Sequence, residues 1–112
     1  MSLHPEEVIM KKETIDPRIK EVVSSLAPSC DINIGLAQLI SKEIDRELAV
    51  YESTVKEFEK KYGMKFDEFY KSDLMKKPSH EVEQDYFDWE MAVTIINKLR
   101  PQLVKIRQLL EK

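Results

Sequence analysis

Two stretches of this chain place apolar residues at steps of three and four over eight or more positions, and no other feature narrows its possible folds so far. The first stripe runs Ala37, Ile40, Ile44, Leu48, Tyr51, Val55, Phe58 and Tyr62. The second runs Val82, Tyr86, Trp89, Val93, Ile96, Leu99, Leu103, Ile106 and Leu110. Steps of three and four close to a heptad put every one of these side chains on one face of an α-helix, whereas a strand would need alternation. Between the apolar positions of the first stripe stand Lys42, Glu43, Asp45, Arg46, Glu47, Lys56, Glu57, Lys60 and Lys61, the pattern of a solvated face. The spacing therefore predicts two long helices. The first starts near Asn33 or Ile34 after a loop at 28–31, and ends at Gly63, because glycine adopts the left-handed terminal conformation cheaply. The second starts after Ser79, a hydroxyl residue suited to capping free N–H groups. Pro101 falls inside it and removes a backbone donor, so a kink or break is expected just before that residue.

Three shorter pieces complete the outline. Asp16-Pro17 opens a helix, with aspartate as cap and proline at the first turn, and Ile15, Ile19, Val22, Val23 and Leu26 share one face until Pro28 stops it. A short connecting helix follows Met64, with Lys65 at the cap position, Glu68 at the third helical position and an end near Lys76-Lys77. Met64 and Phe69 are spaced for a hydrophobic staple. Residues 5–15 read either as a helix opened by Pro5 or, from Val8 to Ile15, as a short strand or flexible arm. The expected fold is all-α: a single helical domain over 1–112, in which a short connector folds the two long helices into an antiparallel hairpin. Such a pair leaves apolar surface on its outer edge. The N-terminal helix and a second copy of the chain are expected to cover it, giving a homodimer.

Composition removes several function classes. A chain of 112 residues holds one ordinary core. Its only glycines, Gly35 and Gly63, leave little for a phosphate-cradling loop. One cysteine, Cys30, excludes an intramolecular disulfide and fits a reducing, cytoplasmic compartment. No apolar run approaches the roughly 18 residues that span a membrane, so no membrane partner is expected. The net charge of −3 is unevenly placed. From Pro78 to Glu90 there are five acids and no Lys or Arg, whereas Met91 to Lys112 carries five cations against Glu111 alone. An acidic start and a basic end complement the helix dipole, and would also let opposite ends dock against each other in an antiparallel dimer.

The acidic segment is the best candidate for chemistry. Glu81, Asp85 and Asp88 share a helical face at steps of four and three, and Glu43 and Glu47 lie one turn apart. Carboxylates on facing helices can hold a hard cation through oxygen, an arrangement that resembles the all-α magnesium-dependent nucleotide pyrophosphohydrolases. Those enzymes use Glu-x-x-Glu and Glu-x-x-Asp pairs, and here only Asp85-x-x-Asp88 has that spacing. The competing reading is a solvated acidic first turn, with no cofactor and no catalytic residue. Two histidines and one cysteine without paired spacing give no zinc site. Tyr86 and Trp89 fall on the apolar stripe, but Phe87 falls off it, and an exposed aromatic among acids suits a partner rich in Arg or Lys. For nucleic acid the only basic elements are Lys11-Lys12 and the Lys98 to Arg107 face.

Two stretches also resemble a family. Tyr62-Gly63-Met64-Lys65-Phe66-Asp67-Glu68-Phe69, followed by His80-Glu81-Val82-Glu83-Gln84-Asp85-Tyr86-Phe87-Asp88-Trp89-Glu90, is similar to the C-terminal region of small prokaryotic antitoxin-like proteins, in which GMSFEEF precedes HEVEQDYWEWE. Lys65 stands where that family has serine. The family's N-terminal half often resembles a ribbon-helix-helix module, here Lys12 to Ile15, Asp16 to Ala27 and Asn33 to Leu48. The resemblance implies a non-enzymatic regulatory protein that neutralises a partner toxin, and DNA contact by Lys11 and Lys12 with autoregulation. The segment bearing Glu81, Glu83, Asp85, Phe87, Asp88 and Glu90 is then the expected partner-binding surface.

Overall fold

A computed structural model describes residues 14–27 and 31–111. The described residues are all-α, with no strand among them. Helix α1 spans Pro17–Leu26, α2 Ile32–Tyr62, α3 Phe66–Tyr70 and α4 His80–Leu110, with a 3₁₀ turn at Asp73–Met75 between α3 and α4. The helix ends follow local chemistry. Asp16 accepts a hydrogen bond from the Arg18 N–H (2.8 Å), and Ser79 accepts one from the Val82 N–H (3.2 Å). Gly63 closes α2 at φ 67°, in the left-handed region where glycine has no Cβ penalty.

Helices α2 and α4 form the long hairpin, and four cross-helix ion pairs give its direction and register. Asp45 meets Arg107 (3.0 Å), Glu52 meets Arg100 (2.6 Å), and Lys61 meets both Glu81 (2.9 Å) and Asp85 (2.6 Å). Numbers rise along one helix as they fall along the other, so the pair is antiparallel. The two expected seams meet in a core of Ile44, Leu48, Ile96, Leu99 and Leu103, with Tyr51, Val55 and Ile95 packed against it. At roughly 1.5–3 kcal/mol for each buried aliphatic side chain, this seam outweighs the exposed ion pairs, which add about 0–1 kcal/mol apiece.

At the connector end, Trp89 and Phe69 are fully buried. Trp89 stacks on Phe58 (centroids 5.5 Å apart) and meets Phe66 edge-on (5.4 Å) and Phe69 (5.0 Å), while Tyr62 packs on Phe69 (4.5 Å). Aromatic burial on this scale, with about 0.5–1.5 kcal/mol for each well-placed ring pair beyond area, holds the five-residue α3 in place. The Trp89 indole N–H is buried without a hydrogen-bond partner among the described residues. At the other end α1 crosses α2 at Gly35, where a Cβ would lie 2.9 Å from Val23 Cγ1. Glycine there permits the close approach.

Several expectations need correction. Helix α2 starts at Ile32, one residue before the expected start, with Asp31 just outside it as the cap that accepts from the Asn33 N–H (2.8 Å). The short helix ends at Tyr70, well before Lys76. Ser72 gives both its hydroxyl (2.7 Å) and its N–H (3.1 Å) to the Phe69 carbonyl, and a serine that engages the backbone this way ends the helix. Pro101 does not break α4. It is exposed, and so is Asn97, whose carbonyl loses its helical donor and can turn to water. The apolar stripe on α1 is only partly covered: Val23 is buried, as is Ala27 just beyond the helix, while Ile19, Val22 and Leu26 are more than half exposed. Ile40 on α2 is also exposed. No helix among the described residues is long and apolar enough to cross a membrane. Of the strand or arm expected up to Ile15, Thr14 and Ile15 are not in a strand, and the rest falls on residues 1–13, outside the described residues.

Candidate protein-binding face

The first third of α4 divides its acidic residues into two sets. One set faces α2. Lys61 donates to Glu81 and Asp85, and the Tyr62 hydroxyl donates to the same Asp85 oxygen that Lys61 holds. The Asp85 side chain keeps only 14% of its exposure. Burial pushes the Asp85 carboxyl up, but the hydrogen bonds from Lys61 and Tyr62 outweigh that and leave it below the usual carboxylate range. Its partners move the other way. The hydrogen bond to Asp85, then that to Glu81, raises the Lys61 ammonium, and burial with the Asp85 bond raises the Tyr62 phenol to about 12. This is a clasp between the two long helices.

The other set faces out. Glu83, Phe87, Glu90 and Met91 follow one another at steps of four, three and one along the exposed side of α4. Phe87 and Met91 keep more than half their exposure. The Tyr86 hydroxyl donates to one Glu90 oxygen (2.7 Å), a contact that raises the phenol's pKa and fixes the carboxylate. Gln84 donates to Asp88 (3.1 Å), so Asp88 is held along its own helix. Aromatic rings continue the surface onto α3: Tyr86 lies 5.4 Å from Phe87, 5.7 Å from Phe66 and 6.0 Å from Tyr70, centroid to centroid. Phe66, Asp67, Tyr70, Lys71, Tyr86 and Glu90 line an open groove of about 370 Å³.

Of the residues expected to bind a partner, Glu83, Phe87 and Glu90 share this outer face, Glu81 and Asp85 belong to the clasp, and Asp88 lies between. The five carboxylates expected to hold a metal are not brought together. Glu43 pairs with Arg46, and it precedes Lys61, the partner of Glu81 and Asp85, by 18 residues on the same helix, about 27 Å at 1.5 Å per residue. Among the described residues no group of three or more His, Cys, Asp or Glu is placed to hold a metal ion. Two cations of the basic end of α4, Arg107 and Arg100, pair within the chain. Lys11, Lys12 and Cys30 lie outside the described residues.

Sequence reasoning missed four contributors. Lys61 and Tyr62 enter through the hairpin register, which single-helix spacing does not reveal. Phe66 and Tyr70 carried a signal, a four-residue step between aromatics that puts both on one side of α3. No protein-family model, curated protein or solved structure matches this chain.

Proposed function

We propose that this chain is a non-enzymatic, antitoxin-like module that binds a basic surface of a partner protein through the outer face of α4. One observation carries the reading: Phe87 and Met91 stand more than half exposed beside Glu83 and Glu90, while the fold's own ion pairs engage Glu81 and Asp85 instead. Exposed apolar side chains ringed by a single sign of charge match the anatomy of a protein interface, where aromatic anchors supply the affinity and charge supplies the choice of partner. The resemblance to antitoxin-like proteins supports the same reading. On this reading the partner is a toxin with an Arg- or Lys-rich surface, met in a prokaryotic cytoplasm.

A second copy of the chain fits as a further partner. Ile19, Val22 and Leu26 form an exposed apolar stripe on α1, with half-buried Ile15 continuing it, which a homodimer would cover.

Deca-arginine titrated calorimetrically at fixed ionic strength tests the α4 face. Glu83→Lys with Glu90→Lys is expected to weaken binding at least about tenfold, while Glu43→Lys with Glu47→Lys, equal in net charge, changes it little. Equal weakening by both pairs would reduce the effect to net charge and contradict the reading.

A further inference from the structure

The groove between α3 and α4 has two properties seldom combined at a bare surface. Its wall is aromatic, because Phe66 and Tyr70 both lie against Tyr86 with nearly parallel planes, at 21° and 29°. Its rim is acidic. Asp67 makes no ion pair among the described residues, and Glu90 is held at one oxygen by Tyr86, which leaves the other free to accept. Tyr70 is 58% exposed although it is part of this stack, so one ring face is open to solvent.

We infer that this groove receives one arginine side chain of the partner protein, its guanidinium stacked on the open face of Tyr70 and hydrogen-bonded at its edges by Glu90 and Asp67. The open face of Tyr70 is flat, and a guanidinium is the planar cation that can lie on it while its N–H groups point outward in the plane to carboxylates. An ammonium would use the same negative potential but could not stack. A neutral side chain of the same shape would lose both the attraction to the ring faces and the charge-assisted hydrogen bonds. Lys71 is the one cation in the wall. It works against an incoming cation, so Lys71→Ala should tighten the site.

This inference rests on the proposal that the outer face of α4 binds a basic partner, and the probe separates the two. A pentapeptide with one central arginine, and its citrulline and lysine counterparts, would be titrated into the protein while the ring resonances of Phe66, Tyr70 and Tyr86 are followed by NMR. The arginine peptide is expected to shift these rings with saturation at millimolar concentration, and the citrulline peptide to bind at least about tenfold more weakly, the scale of one charge-assisted stacking contact. Tyr70→Ala and Glu90→Gln, both at exposed positions, should each abolish the saturable shift while the circular dichroism stays the same. Ring shifts that are absent, equal for citrulline, or equal for lysine would overturn the assignment. If those rings stay still while deca-arginine binding still depends on Glu83 and Glu90, the groove assignment falls and the partner-binding reading stands. If neither peptide binds, both fall.

Discussion

The two ends of the hairpin are built differently. At the connector end, Trp89 and Phe69 are completely buried within a cluster that also takes in Phe58, Tyr62 and Phe66, and the Lys61–Tyr62–Asp85 clasp sits beside them. At the opposite end the ten-residue α1 buries only Val23 of its own length, with Ala27 just beyond, and leaves Ile19, Val22 and Leu26 in solvent. One end completes its own core; the other leaves its largest apolar stripe uncovered. Stability is therefore assigned mainly to the closed end, and association with a second copy to the open one.

The largest effect is expected at the closed end. Trp89→Ala removes the ring that meets Phe58, Tyr62, Phe66 and Phe69, and should cost about 3–5 kcal/mol in chemical denaturation, enough to unfold a marginal domain. Trp89→Phe should cost much less, because the indole N–H makes no hydrogen bond that phenylalanine would lose. If the two substitutions cost the same, the cluster does not hold this end together.

Next is the clasp. Asp85→Asn keeps the shape but weakens the contacts to Lys61 and Tyr62, and about 1–2 kcal/mol should be lost at neutral pH. The pH dependence follows from the directions of the shifts. Asp85 is depressed in the folded state, so its contribution is present above its ordinary value of 3.8 and is lost as pH falls through the lower folded value. Tyr62 is raised, so its contribution is present below 10.0 and is lost as pH climbs towards about 12. Urea midpoints measured from pH 2 to 7 should fall less steeply in Asp85→Asn than in the wild type.

Gly35→Ala probes the open end. The new methyl meets Val23 Cγ1, and valine's stiff first torsion gives it little room to turn away. Overpacking of about 1–3 kcal/mol should exceed the roughly 0.8–1.0 kcal/mol that alanine gains over glycine within a helix. The net loss of about 1 kcal/mol should appear as faster amide exchange in α1, and Val23→Ala in the same chain should relieve it. The smallest effect on the fold is expected from Val22→Glu, within about 0.5 kcal/mol for an exposed site. Its mark should be on the mass in solution: a wild-type dimer by sedimentation and a monomeric variant. A monomeric wild type would remove the homodimer from the account.

The hairpin was legible because steps of three and four mark a helix wherever they persist, and Asp16, Gly63 and Ser79 stop or start helices through contacts within a few residues. What stayed hidden depends on partners far along the chain. The Lys61–Asp85 contact needs the register of α2 against α4, which the packing of the whole connector sets. Residue spacing showed α1 to be amphipathic but not which side would be covered: Val23 and Ala27, at the edge of the stripe, pack on α2 because Gly35 lets the helices approach there. The early end of α3 turned on one serine hydroxyl choosing a backbone acceptor. As for the candidate site, Phe87 was marked by falling off the stripe, but Asp85 lies inward, because a turn of α4 carries some of its acids towards Lys61 and others away from it.

The most direct test of the account is hydrogen exchange mapped along the chain with and without deca-arginine. The account predicts that added protection falls on 66–70 and 81–91 and leaves 19–26 unchanged. Protection confined to α1, or spread evenly over all acidic segments, would contradict it.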